Sequence, residues 1–268
     1  MIPINLEINV IDAFTNKVFG GNPAAVIITD NWLNEPLMQK IASENNLSET
    51  AFLVNNGSGI YAIRWFSPIK EIDFCGHATL ASAFVLFGKF SDLNSLDFTA
   101  KTVGELTIKK LDSGKIQMSF PNTKPELIES YPRELLKGLS IKPKEIHKNA
   151  QAYFAIYDSE DDVLNVETNN DFIKKLHPLD VVVTAPSNSD EFDFISRYFW
   201  PANGNNEDQA TGSIHTGLAP FWSERIGKSQ LKAFQASKRG ASIECEVAGD
   251  RVLISGNGVQ YMTGTISL

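Results

Sequence analysis

Cysteine is scarce: only Cys75 and Cys245 occur in 268 residues, so at most one disulfide can form, and neither lies in a C-x-x-C or Cys/His cluster of metal-binding spacing. A disulfide-stapled framework is excluded, no metal is assigned, and a reducing cytoplasmic compartment is the expectation. Long apolar runs are lacking as well. The longest candidates are short segments such as residues 83–87, far from the roughly 18 apolar residues of a membrane span, so no membrane partner is expected. The N-terminus likewise lacks the continuous apolar stretch of a secretory signal. Positive charge is in deficit, with 24 Lys and Arg against 32 Asp and Glu for a net −8. Lys142, Lys144 and Lys148 are interrupted by Pro143 and Glu145, so no basic stripe tracks a phosphate backbone and nucleic acid is not an expected partner. Phosphate-cradling glycine loops are missing too. Gly20-Gly21 and Gly256-Asn257-Gly258 lack the context of either nucleotide fingerprint and read as turns, so no nucleotide cofactor is assigned.

What is present is ordinary globular material, 43% apolar, enough for one large domain or two of about 130 residues. Ile2, Ile4, Leu6, Ile8 and Val10 alternate with polar residues as in a half-buried strand. Residues 24–29 read as a second strand, 35–45 as an amphipathic helix closed by Asn45-Asn46, and 50–54 and 60–66 as strands flanking a loop at Asn55-Asn56-Gly57-Ser58-Gly59. Residues 78–87 are apolar or small nearly all round and end at Gly88, read as the C-cap; a helix apolar on every face must be enclosed by other structure. Segments 96–108 and 115–120 supply further strands, which gives a sheet wrapped round a central helix. The second half repeats this plan faintly. Arg64-Trp65-Phe66-Ser67-Pro68 leads to Gly76 as Arg197-Tyr198-Phe199-Trp200-Pro201 leads to Gly212, an offset of 136 that sets Cys75 against Thr211 and His77 against Ser213. Pro220 is expected to bend or break the second helix, and the proline-bearing stretch 121–143 is read as the crossover.

Few residues carry chemistry, and each has a plain alternative. Glu49 lies where a helix ends and a strand begins, beside apolar residues that tune a carboxyl for acid/base work, although local pattern alone favours a solvated carboxylate. Gly76-His77 and Thr211-Gly212-Ser213 each place glycine and a polar side chain at a helix start, where free N–H groups favour an anion. His77 can orient a substrate or be a cap or packed side chain. Asp208 can pair with His77, bind a substrate hydroxyl or cap a turn, and Ser213 reads first as an N-terminal cap. Cys75 at a helix start is either a stabilised thiolate or a small buried filler. A two-thiol racemase needs a base on each face of its substrate, and Thr211 occupies the position equivalent to Cys75.

Six segments then recur in a recognisable order: Val10-Ile11-Asp12-Ala13-Phe14 with Gly20-Gly21-Asn22-Pro23-Ala24; Ser48-Glu49-Thr50-Ala51-Phe52; Arg64-Trp65-Phe66-Ser67-Pro68; Asp73-Phe74-Cys75-Gly76-His77-Ala78-Thr79; Glu207-Asp208-Gln209-Ala210-Thr211-Gly212-Ser213; and Val259-Gln260-Tyr261-Met262-Thr263-Gly264. Together they resemble the PhzF family of phenazine-biosynthesis-like proteins, which share the diaminopimelate epimerase-like fold. The resemblance implies an α+β protein of two pseudo-symmetric halves, each a curled, mostly antiparallel, barrel-like sheet around a central helix. The halves are placed at residues 1–117 with 258–268 and at 118–257, with the active site in the cleft between them. It implies a cofactor-independent isomerase and a homodimer. In the phenazine enzyme the glutamate of the S-E-T motif shuttles a proton within trans-2,3-dihydro-3-hydroxyanthranilate. By that likeness Glu49 is the general acid/base, and Ser48, Gly76, His77, Asp208, Gly212 and Ser213 contact a small carboxylate-bearing substrate. Two positions depart from the pattern: Ala78 replaces the proline that phenazine-pathway members carry after the G-H pair, and Gln209 replaces the proline of E-D-P-A-T-G-S. Cys75 is similar to one of the two catalytic cysteines of the epimerase cousins, so an epimerase using Cys75 and Glu49 is the second reading and a non-catalytic small-acid binding protein the third.

Overall fold

Alternation and capping residues set the first elements of the computed structural model, which describes residues 4–56 and 59–268; Ile2 and Pro3 of the N-terminal alternation, and Gly57 and Ser58 of the expected loop, lie outside the described residues. The chain runs β1 (Asn5–Ala13), β2 (Asn22–Thr29), α1 (Glu35–Asn45), β3 (Glu49–Asn55), β4 (Ile60–Phe66), β5 (Glu71–Ile72), α2 (Gly76–Lys89), β6 (Ser95–Ala100), β7 (Gly104–Lys110) and β8 (Ile116–Pro121). It continues through β9 (Glu126–Leu127), α3 (Arg133–Lys137), β10 (Glu145–Lys148), β11 (Ala152–Ile156), α4 (Glu160–Asn165), α5 (Asn170–Ile173), β12 (Asp180–Pro186) and β13 (Phe194–Phe199). The last elements are β14 (Glu207–Asp208), α6 (His215–Ile226), β15 (Gln230–Gln235), β16 (Ala241–Ala248), β17 (Arg251–Gly256) and β18 (Gly258–Ser267). Two compact units result, Met1–Ser119 with Ser255–Leu268, and Phe120–Ile254.

In the first unit β1 pairs antiparallel with β18 and β2, β2 runs parallel to β3, β3 and β4 are antiparallel, and β4 pairs antiparallel with β5 and parallel with β6. The two parallel pairs need crossovers, and α1 and α2 supply them. Asn34 caps α1 through the Leu37 N–H at 3.0 Å, and Asn46 closes it at φ 48°, a left-handed conformation that asparagine tolerates. Met38, Ile41 and Ala42 then face Ile8, Val10, Ala25, Ile27 and Phe52. The alternate strand residues Ala24, Val26, Ala51 and Leu53 point the other way and are fully buried. There α2 packs against β1, β2, β3 and β18, buried at every position from Gly76 to Ala83, as its all-round apolarity requires. It runs one residue past Gly88, which is therefore not the C-cap; Phe90 N–H closes the last turn on the Leu86 carbonyl at 2.8 Å. The α+β expectation of a mostly antiparallel sheet around a central helix holds; among the described residues the sheet is not closed, and β18 pairs with β1.

The second unit repeats the succession: β10 and β11 antiparallel, β11 and β12 parallel, β12 and β13 antiparallel, then β13 antiparallel with β14 and parallel with β15. The repeat extends to side chains. Arg64 on β4 holds Glu71 on β5 through two hydrogen bonds of 2.7 and 2.6 Å, and Arg197 on β13 holds Glu207 on β14 at 2.9 and 3.1 Å. Two expectations fail here. The stretch 121–143 is not bare crossover, because it forms β9 and α3, whose Leu135 joins the apolar cluster with Val163, Ile173 and Val181. Nor does Pro220 break α6, which continues to Ile226. Proline removes the N–H that would bond the Thr216 carbonyl, and the Thr123 N–H replaces it at 3.1 Å.

Candidate active site

Three chain segments of the first unit bring their ends together. The parallel register Ala24↔Glu49 puts the start of β2 beside the start of β3, and α2 begins over the same edge. Glu49 is the first residue of β3, in the inward series with Ala51 and Leu53, and is 1% exposed, so the solvated reading of this carboxylate is overturned. His77, second residue of α2 and 4% exposed, places Nε2 at 2.8 Å from Glu49 Oε2. That contact lies off the hydrogen-bond direction, and Oε2 receives no aligned hydrogen bond among the described residues. A buried carboxylate oxygen thus keeps its accepting capacity beside a cation-forming ring. The other ring nitrogen, Nδ1, lies 3.1 Å from Asn22 Nδ2, and Ser48 Oγ donates to Asn22 Oδ1 at 2.8 Å, so one amide links Ser48 to His77.

Cys75 stands at the N-cap of α2, makes no capping hydrogen bond and lies 3.4 Å from His77 Nδ1. Burial pushes its thiol up to about 11, with the Glu49 charge adding to the effect, so it is protonated at neutral pH. For His77, burial opposes the imidazolium, while Cys75 and Glu49 favour it and prevail. The ring is held well above its ordinary value, and with the thiol neutral the Glu49 carboxylate is the charge responsible. Glu49, Cys75 and His77 also offer oxygen, sulfur and nitrogen atoms within 4.8 Å of one another, a convergence that sequence spacing did not show. The donor types suit zinc, but ligands at about 2.0–2.3 Å from a tetrahedral ion stand more than 3 Å apart, wider than the 2.8 Å ion pair seen here. Holding an ion would require that pair to open and the thiol to ionise.

In the second unit Asp208 ends β14 opposite Tyr198, is 7% exposed, and accepts a 2.5 Å hydrogen bond from the Thr211 hydroxyl. Gln235, fully buried, clamps this segment: Oε1 accepts from the Thr211 N–H at 2.8 Å while Nε2 donates to the Asp208 carbonyl at 2.9 Å. Gly212 and Ser213 do not begin a helix. They form a turn of i→i+3 bonds, His215 N–H to the Gly212 carbonyl and Thr216 N–H to the Ser213 carbonyl, each 3.1 Å, and α6 starts at His215. Ser213 is not a cap either, because its half-buried hydroxyl accepts from Gln151 Nε2 at 2.9 Å. The fold thus gathers Ser48, Glu49, Gly76 and His77 in the first unit, and Asp208, Gly212 and Ser213 within one short segment of the second.

Asn22, Gln151 and Gln235 were not singled out as individual site residues. For Gln235 a signal existed: in β15 the buried series Leu231, Ala233, Gln235 places an amide where the alternation calls for an apolar residue. Nothing in the sequence near Gln151 marks it, since its partners are 47 and 62 residues away.

Comparison with known proteins follows the same lines. The family model described as phenazine biosynthesis-like protein matches residues 11–264. An uncharacterized isomerase of Pseudomonas aeruginosa is 43% identical over 99% of this chain and 100% of its own length. The crystal structure of a PhzF-family phenazine biosynthesis protein from Enterococcus faecalis superposes with a TM-score of 0.93 at 40% identity, covering 99% of this chain and 100% of that one. A predicted epimerase of Pseudomonas aeruginosa, 18% identical, shares the fold with a TM-score of 0.78 over 97% of this chain and 99% of its own.

Proposed function

Because this chain belongs to the PhzF family of phenazine biosynthesis-like proteins and is an isomerase, we propose that it moves a proton on a small carboxylate-bearing substrate, without a cofactor, and that Glu49 is the acid/base group. The observation that carries this reading is a carboxylate 1% exposed whose Oε2 lies against His77 yet receives no aligned hydrogen bond among the described residues. Glu49 takes a proton from one carbon of the substrate, the electron pair shifts through the adjoining double bond, and Glu49, after its proton has exchanged with solvent, delivers a proton to a second carbon. Atoms and charge balance with no oxidant. His77, beside Glu49, orients the substrate and stabilises the negative charge that develops on it. Ser48, Gly76, His77, Asp208, Gly212 and Ser213 are the substrate contacts of this reading.

The Cys75 thiol, 3.4 Å from the same imidazole, supports an epimerase as the second reading. Held at about 11, it serves as a proton donor and not as a resting base. Proton NMR in deuterated water, with trans-2,3-dihydro-3-hydroxyanthranilate and a panel of small amino and hydroxy acids, tests both. Deuterium appearing at carbon with wild type, and at least about 100-fold more slowly with Glu49→Gln, is the expected result. Exchange at the wild-type rate in Glu49→Gln refutes the assignment. Loss in Cys75→Ala as deep as in Glu49→Gln favours the epimerase, and binding with no exchange at all favours a non-catalytic protein.

A further inference from the structure

Behind Ser213 the second unit carries a line of polar groups whose hydrogen-bond directions follow one from the next. Asp180 opens β12 and Gln151 immediately precedes β11. The parallel register Ala152↔Asp180 sets them side by side, with the Asp180 N–H donating to the Gln151 carbonyl at 3.2 Å. An ionised carboxylate only accepts, so the Tyr198 hydroxyl, 2.7 Å from Asp180 Oδ2, must donate. The phenol oxygen then faces Gln151 with a lone pair, which requires the amide to present Nε2 and not Oε1 across the 3.2 Å gap. The same NH2 group has one hydrogen left, and it goes to Ser213 Oγ at 2.9 Å. The backbone at Gln151 is pinned as well: Asn149 Oδ1 accepts from the N–H groups of Gln151 at 2.8 Å and Ala152 at 3.0 Å. Ser213 is therefore an acceptor on its inner side, and its own hydrogen has to be offered elsewhere. Among the described residues it has no protein acceptor.

We propose that Gln151 is a positioning residue: held by Tyr198 and Asp180, it makes Ser213 an obligate hydrogen-bond donor, so that the ligand must bring an oxygen acceptor such as a carboxylate, and not an amide N–H, to this position. The inference rests on the reading of Ser213 as a substrate contact and names the chemical group that contact selects. It also accounts for the buried Tyr198 and its half-buried partner Asp180, which the proton transfer at Glu49 does not use.

Anthranilate and its carboxamide, two stable ring compounds that differ at the recognised group, are the probes. Binding is measured by titration calorimetry at pH 8, where Asp180, raised by burial to about 6, is ionised. Wild type is expected to bind anthranilate about 10-fold more tightly than the carboxamide, the difference between a hydrogen bond to a charged and to a neutral acceptor. In Gln151→Glu residue 151 becomes an acceptor, the Ser213 hydrogen turns inward, and the ratio collapses toward one. Since that change also adds a charge that repels carboxylates, Tyr198→Phe is the parallel variant. It alters no charge but frees the amide to turn, and it should lower the ratio several-fold while leaving carboxamide affinity in place. A ratio kept in Tyr198→Phe but lost in Ser213→Ala overturns the role of Gln151 and leaves Ser213 as a contact. A ratio unchanged in Ser213→Ala, or no binding of anthranilate to wild type, overturns the assignment of Ser213 itself.

Discussion

Acidification separates a buried and a half-buried group of the second unit that titrate in opposite senses. His215 is fully buried, its Nδ1 lies 2.9 Å from the Thr211 carbonyl oxygen, and its Nε2 has no partner among the described residues. Burial lowers its pKa from 6.5 to about 4, with the Thr211 hydrogen bond only partly opposing. The folded state therefore binds this proton less readily than the unfolded one. The associated stability is complete above 6.5 and is lost as pH falls toward 4, at about 1.4 kcal/mol per unit, or about 2 kcal/mol by pH 5. Asp180 runs the other way. Burial raises it from 3.8 to about 6, so its folded form gains stability as pH falls through 6, by about 1 kcal/mol at pH 5. The two offset one another in the wild type, and single variants uncover them. Thermal unfolding at pH 7.5 and 5.0 should show His215→Gln losing less on acidification than wild type by about 4–8 °C, and Asp180→Asn losing more by about 2–4 °C. Comparing each variant with wild type at both pH values removes the contribution of every other titrating group. Equal pH slopes for wild type and His215→Gln would refute the assignment of His215 as a neutral, desolvated ring.

Three further outcomes follow from particular contacts. A Cβ at Gly217 would stand 2.7 Å from Phe154 Cζ and 3.0 Å from Asn149 Nδ2, so Gly217→Ala should cost about 1–3 kcal/mol in urea unfolding; a change under about 0.5 kcal/mol would mean the helix shifts freely. Arg197 holds Glu207 bidentately and also donates to the carbonyls of Val163, Leu164 and Val166 at 3.2, 3.3 and 3.0 Å, which a lysine cannot reproduce. Arg197→Lys is expected to destabilise by about 2 kcal/mol or more, and Arg64→Lys, whose hydrogen bonds go to the exposed or half-buried carboxylates of Glu35 and Glu71 and to no backbone carbonyl, by about 1 kcal/mol or less; the reverse order in the same denaturation assay would contradict this account. Gln235→Leu leaves the Thr211 N–H and the Asp208 carbonyl without their partner, and is expected to lower kcat/KM at least about 10-fold through displacement of Asp208; unchanged kinetics would show that the clamp is not needed.

Local order was legible in the chain itself. Asn34 and Asn46 bracket α1 because capping and left-handed closure depend on residues within one turn, and the apolar circumference of α2 announced its burial because no face was left for water. The internal repeat was legible for the same reason: the Arg-x-Phe pattern and the glycines at an offset of 136 recur as matching strands and as matching Arg–Glu pairs. Glu49 was found by motif, while its burial against His77 follows from the parallel register of β2 and β3, which the alternation of either strand alone does not set. Gly212 and Pro220 show the limit most plainly. The start of α6 moved to His215 as the first bonds closed at i→i+3, and the helix survived its proline because Thr123, 93 residues earlier than Thr216, brought a backbone N–H to the orphaned carbonyl. Asn22, Gln151 and Gln235 belong to the same class, since each acts through partners distant in the chain. Periodicity and capping are properties of neighbours along the chain and can be read from it. The direction of a buried hydrogen bond depends on which strands lie side by side, and that was decided only when the sheets formed.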